Sequence, residues 1–324
     1  LPNKKNTKLN DIKIGVIGAG VAGITAALYA GQNDIKTLIF DSKTGGGRAG
    51  GIPYIVSYPG LERLKGTDFV KRLKGQITEL PTIEFHEFEP IESINLKSDK
   101  FYVKSQKDEY IFDNLVLAMG VEHKKLNING ESEFSGRGVS YCAACDGVFF
   151  KNKDTIVIGN DTHALEQALY LNELESKVTI LNPTDNWNAE PRLCNTLNSS
   201  GIKIIEGSQV SEIKGERMAS GIKLNGSKNN KELLEGKGSN ELDAKGIFIS
   251  VGFQPRIELV SNLDLELSKN DYLNVDRDYK TNIPNLYAIG DLTAPDMEIV
   301  NVCASGVAAI KDIISNYIKI NNSS

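Results

Sequence analysis

Two cysteines, Cys142 and Cys145, stand two residues apart with Asp146 directly after the second, and this stretch can carry electrons through sulfur. At that spacing the sulfurs can close a small, readily reduced disulfide. Exchange with another disulfide requires one sulfur to leave as a thiolate, and Asp146 is placed to give or take the proton. The bland alternative for Asp146 is a turn or helix cap. No second CxxC and no run of histidines follows to complete a tetrahedral zinc site, so no metal is expected. Cys194 and Cys303 lack a partner at this spacing and read as small buried hydrophobes.

A second chemistry lies in the glycines. Gly18-Ala19-Gly20-Val21-Ala22-Gly23 follows an Ile/Val strand over 13–17 and opens a small-residue helix through Ala30; the next strand, 36–40, ends on Asp41. Strand, glycine turn, helix, strand and terminal acid form the βαβ unit that holds a dinucleotide. Gly18 permits the tight turn, Gly20 lets the backbone approach a pyrophosphate, and Gly23 lets helix and strand pack closely. The helix N-terminus favours the anion. Asp41 would accept hydrogen bonds from a ribose and repel a 2′-phosphate, which selects FAD or NAD over NADP. The pattern recurs with a strand at 155–158, a turn at Gly159–Ala164, a helix at 165–174 and a strand at 178–181. Between the repeats, 101–103 and 110–112 read as hairpin strands, and 115–118 as a buried strand ending at Gly120. Late in the chain, 286–289 reads as a strand entering Gly290-Asp291, and 302–317 as the final helix. The polar stretch 226–240 reads as a surface hairpin loop.

These elements belong to a chain of 324 residues, 40% hydrophobic, long enough for two domains. With 37 basic and 42 acidic residues, a formal charge of −5 argues against nucleic acid as a partner. No run approaches the roughly 20 apolar residues of a membrane helix, so no membrane association is expected. A start on Leu1 reads as processed, and the first ten residues carry no weight. Four cysteines are too few for a secreted disulfide scaffold, which points to a reducing, cytoplasmic setting.

Together, Val16–Gly23, Gly46-Gly47-Arg48, Ala118-Met119-Gly120, Cys142-Ala143-Ala144-Cys145-Asp146-Gly147 and Ala288-Ile289-Gly290-Asp291 resemble the low-molecular-weight thioredoxin reductases over nearly the whole chain. The resemblance implies an α/β protein of the flavoprotein disulfide reductase type, with two Rossmann-like, three-layer (ββα) dinucleotide-binding domains. The expected boundaries are 1–121 and 248–324 for a split FAD domain and 122–247 for a central redox domain. It also implies a homodimer. By the same resemblance Cys145 takes electrons from FAD, Cys142 forms the mixed disulfide with thioredoxin, Asp146 serves as acid–base, and Asp291 binds the ribityl or pyrophosphate part of FAD.

The second nucleotide turn departs from that family's pattern. Asp161 stands where a glycine would admit the pyrophosphate, and its carboxylate can cap its own helix. Leu181–Asn186 lacks the arginines that grip a 2′-phosphate, with only Arg192 downstream, and the strand end carries no acid to suit NADH. Met297-Glu298 replaces an Arg-Gln pair, leaving the flavin contacts of that stretch open. These departures resemble a subgroup that does not use pyridine nucleotides, one branch of which is reduced by ferredoxin. Lys124, Lys125, Arg137, Lys151 and Lys153 are candidates for docking an acidic carrier, against the ordinary reading as a solvated face. The competing readings are an NADPH-dependent reductase with a degenerate site, an oxygen-dependent dithiol oxidase, and a redox-sensing flavoprotein. His86, His123 and His163 read as packing or surface residues.

Overall fold

The computed structural model describes residues 13–225, 240–295 and 298–323. The polar stretch at 226–240 therefore lies, but for its last residue, outside the described residues, as does Met297. Two compact units divide the chain, one running to Glu122 and again from Gln254, the other from His123 to Phe253.

The first unit is built on a parallel sheet of five strands in the order Leu286–Ala288, Asn114–Leu117, Lys13–Ile17, Lys36–Phe40, Ile83–His86. Successive residues of these strands point to opposite faces, and both faces are covered. Ile14, Val16 and Ile39 meet a helical layer that includes Ile24, Ala27 and Ile310. Ile17, Leu38 and Phe40 meet Ile94, Phe101, Val103 and Phe112 of an antiparallel sheet. That sheet pairs Ile91–Lys97 with Lys100–Ser105 and the latter with Glu109–Phe112.

The second unit repeats the plan. Its five parallel strands run Lys203–Glu206, Lys177–Asn182, Asp154–Ile158, Gly246–Ile249, Val139–Ser140. Val157 and Ile180 face the helices, whereas Ile156, Ile158 and Leu181 face an antiparallel layer carrying Ile213, Ile222 and Leu224. Each unit is thus a three-layer ββα dinucleotide fold. The expected return to the first unit at residue 248 needs correction: Gly246–Ile249 pairs with Asp154–Ile158 inside the second sheet, so the return falls after Phe253.

The closing helix, Ile299–Ser323, is longer than expected from the sequence. Over Ile299–Lys319 it is long and apolar enough to cross a membrane by length and composition, contrary to the expectation that no run approaches that length. Ala309, Ile310 and Ile313 are buried in the first unit's core, and a Cβ on Gly306 would lie 2.7 Å from the Ala22 carbonyl oxygen. Close packing on the helix Val21–Gln32 accounts for its apolar face.

Candidate functional site

In the first unit the glycine turn follows directly from the strand Lys13–Ile17. Gly18 has φ +104°, and a Cβ there would lie 2.3 Å from the Ala118 carbonyl oxygen; a Cβ on Gly23 would lie 1.9 Å from the Gly18 oxygen. Neither position accepts a side chain. Gly20 differs, since the nearest atom to a Cβ there is Gly47 Cα at 3.9 Å. Gly20 is the N-cap of the helix Val21–Gln32, and no side chain among the described residues caps it. The amides of that first turn are left without a side-chain cap, as an anion requires.

The other sequence-predicted residues gather at this same end of the sheet. Asp41 accepts hydrogen bonds from Ala19 N (2.9 Å, Oδ2) and Lys43 N (2.8 Å, Oδ1), which fixes its carboxylate beside the turn. Gly46 N donates to the Ala19 carbonyl at 2.6 Å, bringing Gly46-Gly47-Arg48 onto the turn. Arg48 Nη1 lies 2.9 Å from Asp291 Oδ2, and Gly290 N donates to Ser305 Oγ at 3.0 Å. Ala118 N donates to the Ile17 oxygen; Gly120, with φ +65°, accepts from Arg256 N at 3.0 Å, and Met119 packs on the core beside the antiparallel sheet. Glycine backbone, uncapped helix and the Asp41 carboxylate at the carboxyl ends of parallel strands fit a dinucleotide. Behind Asp41, buried Glu89 accepts from Ser105 Oγ (2.6 Å) and Tyr110 Oη (2.9 Å) and contacts His86 Nδ1 (3.1 Å) and Lys107 Nζ (3.2 Å). Burial alone would raise its pKa, but those hydrogen bonds outweigh burial and hold it down at about 2.

The second unit carries the cysteines, joined as a disulfide with Cα atoms 5.3 Å apart. Cys142 is the N-cap of the short helix Ala143–Asp146, and its sulfur accepts from Cys145 N at 3.2 Å. Cys145 is exposed and Cys142 half-buried. Ser140 Oγ donates to Asp146 Oδ2 at 2.7 Å and accepts from Cys142 N at 3.1 Å, tying the two ends of the redox turn together. Gln167 Oε1 accepts from Ala143 N at 2.8 Å. Tyr141 Oη donates to Glu131 Oε1 at 2.7 Å, and Glu131 also accepts from Leu126 N and Asn127 N. Burial, then the Glu131 hydrogen bond and charge, push the Tyr141 phenol well above its ordinary range. Sequence reasoning missed Ser140, Gln167 and Glu131, whose partners are set by packing.

The second glycine turn has the backbone of the first and different chemistry. A Cβ on Gly159 would lie 1.9 Å from the Ser250 carbonyl oxygen, so the tight turn persists. Asp161 is the N-cap of the helix Thr162–Glu173, and its Oδ1 accepts from Ala164 N at 2.8 Å. The cap starts this helix at Thr162 rather than at the expected 165. Across the turn lies a polar loop. Asn160 Nδ2 donates to Thr184 Oγ1 (3.0 Å) and Asn186 O (3.2 Å), Asn188 N donates to Asn160 O (2.8 Å), and Asn182 Oδ1 accepts from Thr184 N (2.8 Å). His163 stacks on His123 with ring centroids 6.0 Å apart, and Phe253 lies against both rings. Lys124, Lys125, Arg137, Lys151 and Lys153 are exposed; Lys151 pairs with Glu175 at 3.2 Å, and Arg137 donates to Glu133 O. Ser57 Oγ donates to Glu298 Oε2 at 3.1 Å in the first unit. Among the described residues no cluster of three metal-ligating side chains is found.

Residues 12–309 match the family model described as pyridine nucleotide-disulphide oxidoreductase. The chain is 31% identical over 310 residues to the thioredoxin reductase of Treponema pallidum, covering 95% of this chain and 97% of that one. The structure of Lactococcus lactis thioredoxin reductase superposes with a TM-score of 0.87 at 30% identity, covering 95% and 99% of the two chains. That of T. acidophilum thioredoxin reductase gives 0.86 at 27% identity, covering 94% and 98%.

Proposed function

Because the chain belongs to the thioredoxin reductases of the pyridine nucleotide-disulphide oxidoreductase family, and is thereby an FAD flavoprotein acting on a disulfide, we propose that its electrons come from reduced ferredoxin rather than from a pyridine nucleotide. The observation that carries this reading is the hydrogen bond from Ala164 N to Asp161 Oδ1. It consumes an amide that a pyrophosphate would use and sets a negative charge where the phosphates would sit. The loop Asn182–Asn188 adds weight, offering amides and hydroxyls engaged with one another and no cation for a 2′-phosphate. The energetics are favourable. A plant-type iron–sulfur donor near about −400 mV and a thioredoxin near about −270 mV differ by roughly 130 mV, or about 6 kcal/mol for two electrons.

In the first unit, Gly18–Gly23, Asp41, Gly46–Arg48, Ala118–Gly120 and Gly290-Asp291 would hold FAD. When bound, FAD supplies the reducing equivalents for the Cys142–Cys145 disulfide. Cys145 receives them, and Cys142 attacks the disulfide of thioredoxin. The N-cap position of Cys142 supports its role as the thiolate, because Cys145 N already points at its sulfur. Asp146, oriented by Ser140, carries the proton at this step. The protein works as a cytoplasmic homodimer, which sedimentation would check.

The test is anaerobic bleaching of the flavin absorbance by NADPH, NADH and reduced ferredoxin in parallel, followed by oxidised thioredoxin. Bleaching by ferredoxin alone, reversed by thioredoxin, is the expected result. Rapid bleaching by NADPH would sink the proposal and mark a conventional reductase with an unusual nucleotide turn.

A further inference from the structure

Gln167 lies on the helix Thr162–Glu173 and is 3% exposed. Its Oε1 accepts from Ala143 N at 2.8 Å. That bond fixes the carboxamide, because a backbone N–H can be met by the oxygen and not by the amide nitrogen. Nε2 is therefore the other end, and among the described residues it has no hydrogen-bond partner. The helix that carries it buries Ala164, Leu165, Ala168 and Leu171 in an apolar cluster that also holds Ala143. A buried amide donor without an acceptor is costly, and such groups in native proteins call for an explanation.

The explanation lies one residue away. Ala143 follows Cys142, so the carboxamide is held by the residue next to the one whose sulfur opens during turnover. We propose that Gln167 tunes the redox couple, its Nε2 lacking a partner while the disulfide is closed and donating to the Cys142 sulfur once that sulfur is a thiolate. The inference rests on Cys142–Cys145 being the redox couple and not on the identity of the electron donor. On reduction the S–S bond breaks and takes up two electrons from the reductase reaction. Cys142 keeps one electron pair as a thiolate while Cys145 takes a proton. A neutral donor aimed at the thiolate favours the dithiol state and raises the potential. The charged groups nearby are already engaged, Asp146 with Ser140, Glu131 with Tyr141, and Glu166 with His163 at 3.9 Å.

Two variants of the full chain separate the two ends of the carboxamide. Gln167→Glu keeps the acceptor for Ala143 N and removes the donor; Gln167→Met removes both without adding charge. Each is equilibrated anaerobically with glutathione couples of stepped ratio, and the pair is read by alkylation and mass. Both variants should shift the equilibrium toward the disulfide by about tenfold, which is about 30 mV more negative. They should also raise the midpoint of Cys142 alkylation by about one pH unit, with FAD content unchanged. If Gln167→Glu fails to fold, Gln167→Met decides. Wild-type equilibrium and alkylation midpoint in the folded variants would overturn the proposal. A wild-type pair that exchanges with no couple would overturn it too, together with the assignment of the pair itself.

Discussion

Ser140 is a small residue with two duties at the redox turn. Its hydroxyl donates to Asp146 and accepts from Cys142 N, so one oxygen sets both the carboxylate and the amide that precedes the reactive sulfur. Ser140→Ala breaks both bonds and leaves a half-buried N–H without its partner, at about 1 kcal/mol. Turnover with thioredoxin should fall by about tenfold while the flavin stays bound, and Ser140→Thr, which restores the hydroxyl, should recover most of it. An alanine variant with wild-type turnover would reduce Ser140 to packing. The sulfurs are tested more bluntly. Cys142→Ser should retain FAD and lose thioredoxin reduction, and Cys145→Ser should stop electrons from reaching sulfur; normal turnover in either removes the assigned relay.

The two βαβ units offer a controlled comparison between helices, because Gly20 and Asp161 occupy the same N-cap position in repeats of one fold. One cap offers its amides no side chain and the other answers them with a carboxylate. Gly20→Asp should therefore convert the first site into a likeness of the second. A Cβ at Gly20 meets nothing closer than 3.9 Å, so the variant folds. Its carboxylate competes with the pyrophosphate, and FAD should dissociate on dialysis where the wild type retains it. Retention of a full complement of FAD would mean that Asp161 does not by itself close the second site. Glu89 joins elements in another way, linking the end of the strand Ile83–His86 to the antiparallel sheet through Ser105 and Tyr110. Its folded pKa of about 2 lies below the ordinary value of 4.5. The stability it contributes is therefore complete above about pH 4.5 and is lost as pH falls toward 2. Glu89→Gln should lower the melting temperature at pH 7 by several degrees, from about 2 kcal/mol of lost charged hydrogen bonds, and should flatten the fall between pH 4.5 and 2. An unchanged acid profile would place that sensitivity elsewhere.

At the scale of the whole molecule, the sequence disclosed what is local and withheld what is brought together by folding. The glycine turns and the Asp161 cap are legible because their partners lie a few residues away, as Asp161 to Ala164 does. Gln167 reaches Ala143 across 24 positions, and the rings of His123, His163 and Phe253 meet from three separate stretches. No periodicity announces such contacts. The return after Phe253 is hidden from the sequence for a related reason, since Gly246–Ile249 is a strand whose sheet is chosen by pairing with Asp154–Ile158. One fold used twice, with a side-chain cap on only one of its two glycine-turn helices, gives the proposal a measurable asymmetry. A ligand at a hundredfold its Kd stabilises by about 2.7 kcal/mol, or roughly 5–10 °C for a unit of this size. Adding FAD back to the stripped protein should produce a rise of that order. NADPH at 1 mM should add less than about 0.4 kcal/mol, the value for a Kd no tighter than about 1 mM, and so leave the melting temperature within about 1 °C. A rise of several degrees with NADPH would mean that the amides of the second turn are reachable after all, with the Asp161 cap and the Asn182–Asn188 loop yielding to phosphate.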